Sequence, residues 1–206
     1  MPTVTVEAVE AVGDQTVALR LTAPDDFDAA PGQFVLVRSD GDAGYYTLSS
    51  PYVDDGFEIT VGYPLDESPE ESLGTWLAER DAGDELEIKG PLGNVQYRGD
   101  GDVLVYAAGP GIGPAVGIAE RAVDAGHDAT VVFRGDAPPH RERLDALAEA
   151  GATVDVVDVL DDARLDVPTE SVFVFGFDDF VADVSALLES AGRDPDEAAI
   201  ESFGPA

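Results

Sequence analysis

A change in the spacing of hydrophobic residues near residue 100 constrains the fold of this 206-residue chain more than any other feature. Before it, short runs such as "TVTVEAV", "QFVLVRS" and "FEITVGY" alternate apolar and polar residues, and one helix is indicated around "SLGTWLAER". Strands of this kind, separated by turn clusters, are typical of an antiparallel barrel. After it, apolar strands such as "VLVYAAG" and "VFVFGF" alternate with helical segments. The pattern predicts an antiparallel β-barrel over residues 1–98 and a parallel-sheet α/β domain over residues 101–206.

The segment "AGPGIGP", residues 108–114, connects a predicted strand to a predicted helix. A glycine-rich turn of this kind brings backbone N–H groups close to a phosphate, and the helix N-terminus adds partial positive charge. A tight strand-to-helix turn also needs glycine for steric reasons alone. The segment therefore indicates either a dinucleotide-binding turn or a purely structural one.

Composition excludes several classes of function. The chain has no cysteine, which excludes disulfides, thiolate zinc sites and an iron–sulfur cluster on this chain. Its two histidines, His127 and His140, lie in polar stretches that we expect to be exposed, so a histidine-based catalytic triad or metal site is not expected. A net charge of −32 opposes binding to nucleic acid or anionic membranes.

The acidic residues are spread along the whole chain. Asp and Glu number 43 against 11 Lys and Arg, while the hydrophobic content is an ordinary 44%. This composition resembles that of haloarchaeal-type proteins, in which molar salt screens charge repulsion to about 3 Å. We interpret the acidity as adaptation to solvent. No apolar run approaches the roughly 18 residues of a membrane span, so a cytoplasmic protein is expected.

Four segments occur in an order that resembles a known family. They are "PGQFVLV", "YYTLSSP", "GDELEIKGPLG" and "AGPGIGP", and the chain ends in the acidic-aromatic "IESFG". Together they resemble the ferredoxin–NADP reductase family, in particular its compact flavin reductases and the electron-transfer subunit of dihydroorotate dehydrogenase, whose cysteine cluster is absent here. The resemblance covers essentially the full chain. It implies a flavin-binding barrel followed by an NAD(P)-binding domain.

The resemblance assigns the flavin to "YYTLSSP". Tyr46 would stack on the isoalloxazine ring, and Thr47 would act at N5 as a catalytic residue. The alternative is an ordinary barrel strand, since Tyr and Thr both favour β-structure. Gly44 stands where the family motif has the arginine that neutralises a flavin phosphate. FAD is expected, with FMN as the weaker alternative. The implied flavin contacts are Tyr46, Thr47, Leu48, Ser49, Gly62, Tyr63, Gly74 and Thr75.

The glycine and hydroxyl of "LGTW", Gly74 and Thr75, match the family's second phosphate contact at the start of the barrel helix. Helix N-terminal amides bind diphosphates. A capping box formed by Ser68 and Glu71 is the alternative interpretation of this segment.

The resemblance also implies a site for NADH or NADPH. Asp136 follows the next strand, where a carboxylate accepts the adenine ribose hydroxyls and favours NADH, whereas adjacent Arg134 favours NADPH. Glu201 would be the acidic catalytic residue closest to the reacting ring carbon. Solvated surface carboxylates are the alternative for both acids. The implied nucleotide contacts are Gly109, Pro110, Gly111, Ile112, Gly113, Asp136, Gly176 and Phe177, the last two in place of the family's Cys-Gly-Pro segment.

The function expected is that of a flavin-dependent oxidoreductase, which passes a hydride from NAD(P)H to FAD. Electrons then leave for a separate acceptor, such as ferredoxin or a partner oxidoreductase subunit. Two alternatives stay open. One is a non-catalytic module that keeps the fold without a full cofactor site, as Gly44 and the altered Cys-Gly-Pro segment suggest. The other is a reductase that releases diffusible reduced flavin.

Overall fold

The computed structural model describes residues 1–39, 41–168 and 171–204. Its first half contains the strands β1 (Thr3–Gly13), β2 (Thr16–Leu21), β3 (Phe34–Arg38), β4 (Ala43–Thr47), β5 (Phe57–Gly62) and β6 (Glu85–Leu92). They form a six-stranded antiparallel sheet with the order β4-β3-β6-β1-β2-β5. An isolated bridge between Leu48 and Ile59 joins the two edges of this sheet, so it closes into a barrel.

The alternating pattern buries one face of each barrel strand. Leu19, Val35 and Ile59 are fully buried inside the barrel. The predicted helix is α1 (Leu73–Ala78), whose N-cap is Ser72 rather than Ser68. Ser68 hydrogen-bonds to Glu71 in the turn before the helix, so the predicted capping box lies one turn too early.

The second half contains the strands β7 (Val103–Ala108), β8 (Ala129–Arg134), β9 (Thr153–Val157), β10 (Val172–Gly176) and β11 (Ala199–Ser202). They form a five-stranded parallel sheet with the order β11-β10-β7-β8-β9. Helices α2 (Ile112–Asp124) and α3 (Arg141–Glu149) pack on one face of it, and α4 (Asp178–Ser190) packs on the other. The predicted fold class, a barrel followed by a parallel α/β sheet, is confirmed.

Helix α2 lies between the parallel sheet and the barrel, and most of its residues are buried. Small residues on its barrel-facing side allow this double packing. A Cβ on Gly117 would lie 2.8 Å from the carbonyl oxygen of Ser49, in the segment after β4. The two halves of the chain are therefore in tight contact along the start of α2. In the described part of the chain, no helix is long and apolar enough to cross a membrane.

Candidate functional site

A cavity of about 450 Å³ lies between the barrel and the parallel sheet, and we call it the central cavity. Its volume falls within the range of roughly 300–1,000 Å³ that is typical of small-molecule sites. The barrel contributes Gln15, Thr16, Gly44, Tyr45, Tyr46, Thr47, Thr60, Gly62, Tyr63 and Pro64, and the α/β part contributes Pro110, Pro114, Phe177 and Phe203.

Aromatic side chains from both halves of the chain line the central cavity. On the barrel side, Tyr46 is half-buried and packs against the barrel core, and this burial, with a smaller effect of Asp42, raises its pKa. On the other side, Phe177 and Phe203 meet edge to face with ring centroids 6.0 Å apart. These two residues follow the carboxyl ends of β10 and β11. Flat π-faces on both sides suit a planar ring system.

The polar groups of the cavity wall are uncharged. Thr47 and Thr60 are buried, at 8% and 6% exposed, and among the described residues the wall contains no Asp, Glu, Lys, Arg or His. The wall is thus suited to a neutral ring that is held by a few hydroxyls and amides. A phosphate group on the same ligand would have to lie outside this wall.

Gly44, which stands at the arginine position of the family motif, is closely packed by its neighbours. A Cβ added at Gly44 would lie 2.9 Å from Cδ2 of Leu73 and 3.1 Å from Cε2 of Tyr46. Position 44 is therefore tightly packed against the side chains of Leu73 and Tyr46.

The glycine-rich turn has a steric role. A Cβ on Gly111 would lie 2.2 Å from the carbonyl oxygen of Phe175, and one on Gly113 would lie 2.3 Å from Oγ1 of Thr60. Both positions need glycine because protein atoms approach so closely. Gly109 differs, because its φ is +55° and its nearest potential contact is the Phe177 ring at 3.9 Å. Gly109 and Pro110 are therefore the part of the turn that is open to a ligand.

The structure brings six of the sequence-predicted cofactor residues to the central cavity and leaves the others elsewhere. Leu48, Ser49 and Ile112 are fully buried, so their side chains cannot reach a ligand there. Gly111 and Gly113 are covered by protein atoms, as described above. The side chains of these five residues do not face the central cavity, and their direct contacts with a cofactor stay predictions. The six residues at the cavity are Tyr46, Thr47, Gly62, Tyr63, Pro110 and Phe177.

The two predicted phosphate contacts of α1 are engaged within the protein. A Cβ on Gly74 would lie 2.5 Å from the carbonyl oxygen of Gly62, so α1 packs closely on β5. The Thr75 hydroxyl donates a hydrogen bond to the Pro64 carbonyl at 3.3 Å, and its backbone N–H donates to Ser72 Oγ. The packing of the barrel accounts for both residues, and their role toward a diphosphate stays a prediction.

At the carboxyl end of β8, Asp136 is exposed and Arg134 is partly buried. Arg134 Nη1 lies 2.5 Å from Oδ2 of Asp183 on α4, and its guanidinium lies 4.7 Å from the centroid of the Phe180 ring. Its charge is therefore already paired within the protein. A Cβ on Gly176 would lie 2.6 Å from Cδ1 of the same Phe180, which explains the glycine there.

Glu201 lies on the edge strand β11, outside the wall of the central cavity. It is half-buried, and this burial raises its pKa. Its predicted role as the acid nearest the reacting carbon stays a prediction.

The expectation that His140 is exposed is wrong. Its side chain is buried, with 4% of the residue exposed, and burial, with a smaller effect of Arg143, lowers its pKa to about 3. The polar neighbours of His140 in "HRERLD" suggested exposure, but the ring packs against the barrel, 80 residues away in sequence. Phe203 was also missed as a cavity residue, although the aromatic ending "IESFG" carried a signal for it.

Comparisons with known proteins agree with this architecture. No protein-family model matches the chain. The chain is 32% identical over 162 residues to the ferredoxin reductase component of 3-ketosteroid-9-alpha-monooxygenase from Rhodococcus rhodochrous. That match includes 70% of this chain and 45% of the relative, so the chain spans less than half of that protein.

Two solved structures share the fold across almost the whole chain. The FAD/NAD-binding domain of nitric oxide dioxygenase from Vibrio cholerae aligns with a TM-score of 0.78, 21% identity and 98% coverage of both chains. Ferredoxin-NADP+ reductase from Plasmodium falciparum aligns with a TM-score of 0.76 and 10% identity, covering 98% of this chain and 95% of that one. At these identities the likeness concerns the fold.

Proposed function

We propose that this chain, a ferredoxin–NADP reductase-like protein by its fold and its sequence similarity, is an NAD(P)H-dependent flavin oxidoreductase. The observation that carries the proposal is the central cavity, which has Tyr46 on the barrel side and Phe177 and Phe203 on the α/β side. A planar ring between these walls would contact both halves of the chain. FAD bound there would accept a hydride from NAD(P)H and release electrons to a separate acceptor.

The residues of the central cavity fit a flavin ring in shape and polarity. Tyr46 offers an aromatic face, and its packing against the barrel core orients that face. The buried Thr47 hydroxyl offers one hydrogen bond without charge at the ring edge. Pro110 and Pro114 line the same cavity, and a ligand packed against them would keep water from that bond and so strengthen it. The protein would thus supply orientation and a dry environment rather than an ionisable catalyst.

For the nicotinamide nucleotide we propose that the open residues Gly109 and Pro110 receive the pyrophosphate at the start of α2. We further propose a preference for NADH. Asp136 is exposed at the carboxyl end of β8, where it would repel a 2′-phosphate, and the ion pair with Asp183 occupies Arg134. Both features disfavour NADPH.

The electron acceptor is proposed to be a separate molecule, either a ferredoxin or a partner oxidoreductase subunit. The Rhodococcus relative is named as the ferredoxin reductase component of a monooxygenase, and this chain spans 45% of its length. The boundary near residues 98–101, a cytoplasmic location and adaptation to high salt stay predictions.

A second candidate is a non-catalytic module that keeps the fold. Gly44 favours it, because it stands where the family motif has a phosphate-binding arginine. A protein of this kind would have the central cavity without retaining FAD.

The test is reconstitution with FAD in molar KCl, followed by anaerobic addition of NADH. The proposal expects near-stoichiometric flavin absorbance that NADH then bleaches. A protein that takes up no FAD at any salt concentration would instead be the non-catalytic module. Weak FAD binding with sustained NADH oxidation would identify a reductase that releases reduced flavin.

A further inference from the structure

The start of α3 is joined to the barrel by two side chains, His140 and Arg143, which we call the α3 anchor. The backbone N–H of His140 donates to the carbonyl oxygen of Val12 on β1, at 2.8 Å. Its ring Nε2 and Oγ1 of Thr60 on β5 share a hydrogen bond of 2.7 Å. The backbone of His140 is left-handed, with φ 58°, which is uncommon for a residue other than glycine. These contacts hold the first turn of α3 against two barrel strands.

The hydrogen bond to Thr60 continues toward the central cavity. Oγ1 of Thr60 lies 2.7 Å from Oγ of Ser49, and both residues are buried. Thr60 is also part of the cavity wall. The start of α2 contacts the same pair, because the Cα of Gly113 lies against Thr60 and Ser49. Both helices therefore contact the barrel at the residues that form the back of the cavity wall.

Arg143, one turn after His140, adds a second set of contacts. Its guanidinium donates to Glu58 on β5 at 2.7 Å, to the Ser49 carbonyl at 2.6 Å and to both oxygens of Glu120 on α2 at 2.7–2.8 Å. Burial lowers the pKa of Arg143, and its contacts with Glu120 and Glu58 more than offset this. One side chain thus connects α3, α2 and the two barrel segments next to the cavity.

Buried ion pairs of this kind add little net stability compared with apolar packing, because desolvation offsets their attraction. Their geometry is nevertheless specific, since a guanidinium fork fixes the angle of each partner. The α3 anchor therefore has the properties of a group that sets position rather than one that only adds stability.

We propose that His140 and Arg143 are positioning residues that set the separation between the barrel wall and the α/β wall of the central cavity. The proposal rests on the proposed function in one respect, namely that the ring between these walls is a flavin. When the anchor is intact, α2 and α3 are held against β5, and Tyr46 and Phe177 keep their places on opposite walls of the central cavity. When it is broken, the walls move relative to each other and the ring is held less well.

The test compares His140→Phe, which keeps the ring shape but loses Nε2, with His140→Gln, which retains a donor or acceptor near Thr60. His127→Phe is the matched control, because that histidine lies outside the anchor. In folded protein, we expect His140→Phe to raise the dissociation constant for FAD about tenfold. His140→Gln should bind FAD with most of the affinity of the parent. The control, His127→Phe, should bind FAD as the parent does. Arg143→Lys, which keeps the positive charge but loses the guanidinium fork, replaces His140→Phe if the latter does not fold.

A second measurement needs no cofactor. Hydrogen exchange of the apo protein is expected to show faster exchange in His140→Phe at β5 and at the first turns of α2 and α3. Unchanged FAD affinity and unchanged exchange, with lower thermal stability only, would overturn the proposal in favour of a merely structural role. If the parent binds no FAD, the proposed function fails, and the exchange measurement alone decides whether the anchor sets the wall positions.

Discussion

The central cavity and the α3 anchor meet at Thr60 but differ in charge. Among the described residues, the cavity wall carries aromatic rings, hydroxyls and prolines and has no Asp, Glu, Lys, Arg or His. Behind Thr60, the anchor brings Arg143, Glu58 and Glu120 within hydrogen-bond distance in a partly buried cluster. The difference indicates two separate roles. The wall offers a neutral surface to a ring, and the charged cluster fixes the position of that wall.

Removing the cation of the anchor is expected to have the largest effect. Arg143→Ala leaves Glu58 and Glu120 partly buried and unpaired, and should cost about 3 kcal/mol of unfolding free energy. Urea denaturation at fixed KCl measures this. Arg164→Ala is the control, because its pair with Asp155 is more exposed and its loss should change the unfolding free energy much less. If both variants lost the same unfolding free energy, the anchor would be no more important for stability than an exposed surface ion pair.

The pH dependence of stability separates His140 from its charged neighbours. Its pKa is about 3 in the folded protein against 6.5 for an unperturbed histidine, so the unfolded state binds more protons between these values. The contribution of neutral His140 is complete above pH 6.5 and falls as pH decreases, by about 2 kcal/mol at pH 5. Arg143 faces the ring and adds to this effect.

The measurement compares urea unfolding of the parent and His140→Phe from pH 7 to pH 5, with His127→Phe as the control. Glu58 has a raised pKa, chiefly from burial, and gives a slope of the opposite sign, which the difference between the variants removes. Parallel loss of stability in the parent and in His140→Phe would show that His140 does not titrate as the structure implies.

On the cavity side, Tyr46→Ala should weaken FAD binding by about 1 kcal/mol, or roughly fivefold, because an aromatic face is lost without a change in charge. Tyr52→Ala is the control, since that ring contacts Arg121 away from the central cavity. Fluorescence titration with FAD in molar KCl gives both affinities. If Tyr46→Ala binds FAD as the parent does, the barrel wall has no part in flavin binding.

The smallest expected effect concerns the choice of nucleotide. Asp183→Asn should release Arg134 from its ion pair and increase the NADPH-to-NADH ratio of kcat/KM a few-fold, the scale of an exposed ion pair. Asp179→Asn, on an exposed position of the same helix, should leave the ratio unchanged. A ratio that is the same in both variants and the parent would exclude Arg134 from the 2′-phosphate site.

The sequence predicted the fold because its signals are local. Alternation along "FEITVGY" and the change to strand–helix repeats are both visible within a few residues, and both correspond to observed elements. Helix α2 begins at Ile112, within the segment "AGPGIGP" that was predicted to come before the helix. The prolines and glycines of this segment are typical of a turn, so the sequence pattern did not indicate that the helix had already begun.

The candidate site was predicted only in part. Tyr46, Thr47, Pro110 and Phe177 do lie on the central cavity, because short motifs placed them at the ends of strands. The His140–Thr60 contact joins residues 80 positions apart, and a local sequence pattern cannot predict a contact over that separation. The steric need for glycine at position 111 likewise depends on a carbonyl from β10. Contacts between the two halves of the chain therefore required the structure.

A crystal structure of the protein with FAD, grown in molar KCl, tests the central claim most directly. The account predicts the isoalloxazine ring inside the central cavity, in contact with Tyr46 and Thr47 on the barrel side and with Phe177 or Phe203 on the α/β side. A ring bound elsewhere, or a central cavity that stays free of flavin at saturating FAD, would contradict it.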